Sequence, residues 1–123
     1  MTRILYVDDD ADIREVALMA LELDDALAVR ACGSGTHALA VAPEFQPALI
    51  LLDVMMPQMD GPTTLAGLRA DERTAEIPIV FITARTQTAE VERLMALGAL
   101  GVIPKPFDPM TLADQVRTFL ARA

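Results

Sequence analysis

Basic residues are scarce in this chain: 10 Lys and Arg stand against 18 Asp and Glu, a net charge of −8. A nucleic-acid surface needs a stripe of cations to displace counterions from phosphates, so this balance argues against one. The single cysteine, Cys32, excludes an internal disulfide. No apolar run approaches the roughly 20 residues of a membrane span, and no signal peptide opens the chain. These absences lead us to expect a soluble, cytoplasmic chain that does not contact membrane. With no Trp, one Tyr and four Phe, the core must be built from Leu, Ile, Val, Ala and Met. Repeats, low-complexity segments and linker-like composition are also missing. One domain, residues 1–123, is expected, long enough to bury a core without staples.

What the chain does have is a run of five apolar residues, Ala48-Leu49-Ile50-Leu51-Leu52, leading straight into Asp53 and a turn. A run that short without polar alternation reads as a strand buried on both faces, at the centre of a parallel sheet. Asp53 then stands at the carboxyl end of the strand, the edge where open α/β sheets bind ligands. A carboxylate there is costly to desolvate unless other residues pair with it.

The rest of the sequence alternates strand and helix patterns. Arg3 to Val7 is β-rich and ends in Asp8-Asp9-Asp10, after which Ile13, Val16, Ala17, Ala20 and Leu21 follow helical spacing. Leu27 to Ala31 reads as a strand. Ser34 can cap a helix carrying Ala38, Leu39, Val41 and Ala42, which Pro43 is expected to stop. Beyond Asp53, Asp60-Gly61-Pro62 marks a helix start, with Leu65 and Leu68 inward. Pro78 to Ile82 is a second continuous apolar strand, ending in Thr83. Val91, Leu94 and Met95 mark a helix that Gly98 can end in a left-handed conformation. Leu100 to Ile103 is a last strand, and Asp108-Pro109 is expected to open a helix with Leu112, Val116, Phe119 and Leu120 inward. Five alternations predict a doubly wound α/β fold, flavodoxin-like (βα)5, with a five-stranded parallel sheet of order 2-1-3-4-5.

In such a sheet Asp8-Asp9, Asp53, Thr83 and Lys105 all converge on one edge. Three adjacent carboxylates repel by a few kcal/mol per pair at an effective dielectric of about 20. A hard dication resolves the conflict, and an all-oxygen set favours Mg²⁺. A hydroxyl and an ammonium opposite would complete a cradle for a phosphoryl group. Asp53 is then the candidate nucleophile, since an ionised carboxylate needs no general base. Singly, each residue has a plainer explanation: an Asp at a strand end is commonly a cap, and Thr and Lys are commonly surface groups. An acidic triplet also favours a helix N-terminus without metal. It is the set, spread over separate strand ends, that points to chemistry.

Val7-Asp8-Asp9, Leu51 to Gly61, Ile82-Thr83-Ala84 and Lys105-Pro106-Phe107 together resemble the receiver domain of two-component response regulators. The resemblance covers essentially the whole chain, with each motif in the family's order and spacing. It implies that Asp53 accepts a phosphoryl group from a phosphohistidine on a histidine kinase or histidine phosphotransfer protein. Asp9, Asp53 and the backbone carbonyl of Met55 would bind Mg²⁺ directly, and Asp8 mostly through water. Thr83 and Lys105 would hold phosphoryl oxygens, Lys105 pairing with Asp53 when no phosphate is present. It also implies a cis Lys105-Pro106 bond, and partner docking on the first helix and the Pro106-Phe107 loop. Beyond its own phosphorylation and dephosphorylation the chain is not expected to be an enzyme. The oligomeric state stays open, with monomer favoured.

Two positions depart from the family pattern. Val102 stands where the family usually has a switching Tyr or Phe, and Pro104 precedes Lys105. Met55 and Arg85, two residues after Asp53 and Thr83, are expected to tune acyl-phosphate lifetime. Plain roles are expected for His37 (solvated) and Cys32 (a small buried hydrophobe), while Met55, Met56 and Met59 form either a partner surface or loop packing. A stand-alone receiver is the leading expectation for function, and a receiver from a longer regulator the close alternative. A non-phosphorylated docking module and a Mg²⁺-dependent phosphohydrolase are more distant. The hydrolase would want an acid at Met55 and a cap domain to hold its substrate.

Overall fold

The computed structural model describes residues 1–123. Ten elements alternate: β1 (Thr2–Val7), α1 (Ala11–Glu22), β2 (Leu27–Cys32), α2 (Gly35–Phe45), β3 (Leu49–Asp53), α3 (Gly61–Ala70), β4 (Ile79–Thr83), α4 (Thr88–Ala96), β5 (Gly101–Pro104) and α5 (Leu112–Arg122). The strands form one sheet in the order β2-β1-β3-β4-β5, all pairs parallel, as expected. No helix is long and apolar enough to cross a membrane.

Strand alternation divides the core in two. Leu5, Val7, Ile50, Leu52, Ile79 and Phe81 pack under α2, α3 and α4. Ile4, Tyr6, Leu49, Leu51, Val80, Ile82 and Ile103 pack under α1 and α5. Every residue of β3 and β4 is buried, which is why those strands read as unbroken apolar runs. Cys32 is buried and reduced, and His37 is exposed.

The helix starts follow local chemistry. Asp10, Ser34 and Asp60 each accept first-turn N–H groups of α1, α2 and α3. Gly98, at φ 101°, follows α4 in the left-handed region, as expected.

Three expectations fail. Pro43 does not stop α2, which runs on to Phe45. In the last turn its missing N–H costs only one bond, and Gln46 closes the helix instead, its N–H on Ala42 O at 2.9 Å. The Gln46 side chain also donates to Pro43 O at 3.0 Å and Arg73 O at 2.8 Å. Asp108-Pro109 does not open α5. It shapes a separate turn, Asp108 accepting Met110 N–H at 2.9 Å, and the helix starts at Leu112. Val16 and Met95 are exposed, at 43% and 41%. Val16 adjoins Ala17, and the 100° step between helix neighbours turns it off the stripe of Ala17, Ala20 and Leu21. Phe119 and Leu120 are only half-buried at the end of α5, while Leu112 and Val116 are fully covered.

Candidate functional site

The sheet registers bring the chemistry-bearing residues to one level. Val7 lies opposite Leu52, so Asp8 and Asp53 follow side by side where β1 and β3 end. Asp53 is in register with Ile82, and Thr83 with Pro104. Backbone bonds continue past the strand ends: Asp8 N–H to Cys32 O at 3.1 Å, Val54 N–H to Ile82 O at 3.1 Å, Lys105 N–H to Thr83 O at 2.9 Å. The loop after Asp53 folds back, with Gly61 N–H on Val54 O at 2.9 Å. A Cβ at Gly61 would lie 2.6 Å from the Asp53 carbonyl oxygen, so only glycine lets α3 start this close to β3.

Asp8, Asp9 and Asp53 can each offer an oxygen within 4.8 Å of the others. Asp8 and Asp53 are buried, while Asp9 is exposed. Lys105 Nζ sits between the two buried carboxylates, 3.0 Å from Asp8 Oδ2 and 3.4 Å from Asp53 Oδ2. The expected Lys105–Asp53 pair is therefore shared, and Asp8 is the nearer partner. Asp9, Asp53, Met55, Thr83 and Lys105 line one open cleft. The Lys105-Pro106 bond is cis. The structure thus brings Asp8, Asp9, Asp53, Met55, Thr83 and Lys105 together at the strand ends, although Thr83 faces the cleft with its hydroxyl already engaged, accepting Arg85 N–H at 3.0 Å. Of the three methionines, Met56 is buried, Met59 half-buried and Met55 exposed, so loop packing accounts for the first two.

Electrostatics follow from this crowding. Burial, and then the Asp8 charge, push the Asp53 carboxyl up to about 7, the Lys105 ammonium offsetting only part of this. Partial burial works to lower Lys105, but its bond to Asp8 and the charges of Asp53 and Asp8 outweigh that and hold it above its ordinary range. One ammonium among three carboxylates leaves a deficit of positive charge. The donors are all oxygens, with no imidazole or thiolate, so a hard dication such as Mg²⁺ fits both the charge and the ligand chemistry.

Tyr6 was not among the residues singled out. Its hydroxyl donates to Asp8 Oδ2 at 3.0 Å. Burial, together with the Asp8 charge, holds the phenol well above its ordinary range, so it stays a donor. The available signal was the spacing: Tyr6 and Asp8 are two apart on one strand and share a face. Arg14 adds a contact of 2.8 Å to the Asp8 carbonyl oxygen.

The family model described as response regulator receiver domain matches residues 4–117. Among curated proteins, the DNA-binding response regulator MtrA of Mycolicibacterium paratuberculosis is 41% identical over 120 residues, 98% of this chain and 52% of that protein. The DNA-binding dual master transcriptional regulator RpaA of Synechocystis is 38% identical over 122 residues, 99% of this chain and 50% of that protein. The chain spans about half the length of these curated relatives. Among solved structures, chemotaxis protein CheY4 of Vibrio cholerae matches with a TM-score of 0.88 and 31% identity, over 97% of this chain and 98% of that chain. The signal receiver domain of a signal transduction histidine kinase from Syntrophus aciditrophicus matches with a TM-score of 0.84 and 28% identity, over 100% and 92%.

Proposed function

Since this chain belongs to the response regulator receiver domain family, we propose that it takes a phosphoryl group onto Asp53 from a phosphohistidine of a histidine kinase or histidine phosphotransfer protein. The observation that carries this reading is the shared Lys105, 3.4 Å from Asp53 and 3.0 Å from Asp8, facing a cluster of three carboxylates that could hold a dication.

In the transfer, an ionised Asp53 oxygen forms the new O–P bond as the N–P bond of the donor breaks, and the histidine nitrogen keeps the bonding electron pair. Lys105 moves its ammonium from the carboxylates to a phosphoryl oxygen. The Thr83 hydroxyl can donate to another phosphoryl oxygen while still accepting the Arg85 N–H. Asp8, Asp9, Asp53 and the Met55 carbonyl would hold Mg²⁺, which when bound supplies positive charge to the transferring phosphoryl group. Hydrolysis of the acyl phosphate restores Asp53, so the only chemistry is the chain's own phosphorylation and dephosphorylation.

Onward signalling from this domain is by protein contact, since a net charge of −8 offers no basic stripe for nucleic acid. MtrA and RpaA are described as DNA-binding. In a protein of that build the DNA contact would come from a segment other than these 123 residues. The full-length reading frame separates that arrangement from a stand-alone receiver.

Incubation with Mg²⁺ and acetyl phosphate tests the reading. We expect a mass gain of one phosphate that disappears in Asp53→Asn. No gain would favour a module that only docks partners. Multiple turnover of ordinary phosphomonoesters would favour a hydrolase.

A further inference from the structure

We infer that Tyr6 is a positioning residue for the cation site, its hydroxyl holding the Asp8 carboxylate in the orientation that the dication requires. This rests on the reading that Asp8, Asp9 and Asp53 hold Mg²⁺, and it extends that reading to a residue that touches neither cation nor phosphate.

Tyr6 is completely buried and is the only tyrosine in the chain. A phenol in that position must find a hydrogen-bond partner. Its other neighbours on the α1 and α5 face of the sheet are apolar, and the partner it finds is Asp8, on the same face of β1, at 3.0 Å. Its ring meets Phe107 edge to face, with centroids 6.4 Å apart and planes at 75°. Phe107 follows two residues after Lys105, so the segment that carries the lysine also braces the tyrosine.

Asp8 is itself completely buried. Oδ1 accepts Asp10 N–H at 3.0 Å, and Oδ2 accepts both Tyr6 and Lys105, each at 3.0 Å. The two donors on Oδ2 differ in permanence. Lys105 is shared with Asp53 and is the group that must turn to an incoming phosphoryl oxygen. Once it turns, Tyr6 is the only one of the two left on Oδ2. The hydroxyl keeps the carboxylate from rotating, and keeps Oδ2 from being a buried, unpaired charge, at the moment the site reorganises. Groups that orient metal ligands in this way commonly change metal affinity by roughly 10- to 100-fold when removed. A hydroxyl that merely satisfied itself in the core would affect stability and leave cation affinity alone.

Tyr6→Phe keeps the ring and its contact with Phe107 while deleting the hydroxyl. Calorimetric titration with Mg²⁺ should show binding weakened by about 10-fold, the low end of that range because Asp10 and Lys105 still hold Asp8. The Mg²⁺ concentration giving half-maximal Asp53 phosphorylation by acetyl phosphate should rise by the same factor, with the rate at saturating Mg²⁺ nearly kept. The unmodified chain gives a second readout. With no Trp present, its near-ultraviolet emission is that of Tyr6, and it should change on Mg²⁺ addition with the calorimetric midpoint. Unchanged or tighter Mg²⁺ binding by the Tyr6→Phe variant overturns the inference, with or without a lower melting temperature. So does Tyr6 emission indifferent to saturating Mg²⁺. If the unmodified chain itself binds no Mg²⁺, the site reading fails and this inference falls with it; binding that is equal in both chains sinks only the role of Tyr6.

Discussion

Asp53 carries opposing demands: as a nucleophile it must be ionised, yet burial and the Asp8 charge raise it from an ordinary 3.8 to about 7. A proton held more tightly in the folded state than in the unfolded one stabilises the fold at low pH. That contribution is complete below the unfolded value near 3.8 and is lost as pH rises through about 7. Other shifted groups act elsewhere. Asp24, Asp71 and Glu90 are lowered by arginine partners, so their contributions are lost at more acid pH. Lys105 is raised, so its contribution is lost only in alkali. In chelator, the melting temperature should therefore fall between about pH 4 and pH 7 and level off above, and Asp53→Asn should flatten that slope. Mg²⁺ competes with the same proton, so calorimetric affinity should drop as pH falls below about 7. Equal slopes in the two chains would contradict this account. The site residues were legible in the sequence because each ends a strand and strand ends converge. Tyr6 was missed because, inside an apolar run, it reads as one more core residue.

At the scale of elements, the turn from β3 to α3 decides where Asp53 stands. The Cβ of Gly61→Ala would lie 2.6 Å from the Asp53 carbonyl oxygen and 2.9 Å from the Val54 Cα. Backbone on both sides cannot yield as a flexible side chain can, so α3 or the end of β3 must shift. We expect a loss of about 1–3 kcal/mol in denaturant unfolding, together with slower phosphorylation by acetyl phosphate. A substitution that leaves both unchanged would show that the contact relaxes elsewhere. Helix and strand types were read correctly from periodicity, but two helix boundaries were not. A proline in the last turn and an aspartate closing a separate turn both carry local signals that neighbouring contacts override. Val102 bears on how the state of the site is passed on. It is half-buried and packed against the core that holds Leu94, and its β-branched side chain has no second position to swing to. The Thr83 hydroxyl is tied to the next loop through Arg85, so that loop should follow the phosphoryl group while β5 stays still. NMR shift changes on phosphorylation should then be smaller across α4, β5 and α5 than around Asp53. Changes of equal size would refute this.

At the scale of the whole molecule, a charge of −8 works against compactness, and few of the visible ion pairs offset it. Arg73–Asp71, Arg93–Glu90 and Arg117–Asp24 all have well-exposed arginines and contribute little. At the strand ends, by contrast, Lys105 alone faces Asp8, Asp9 and Asp53, two of which are buried. A ligand that binds only the folded chain stabilises it by mass action, about 2.7 kcal/mol at a hundred times its dissociation constant. For a domain of this size that amounts to a rise of roughly 10 °C in melting temperature. We therefore expect Mg²⁺ to raise the melting temperature well beyond what NaCl of equal ionic strength does, since NaCl only screens exposed charges. Asp53→Asn removes one of the oxygens and one of the charges the cation would meet, so it should lose most of the Mg²⁺ effect and keep the NaCl effect. A Mg²⁺ shift of equal size in both chains would place the gain in diffuse screening over an acidic surface, and the strand-end cluster would then lose its claim to a specific cation.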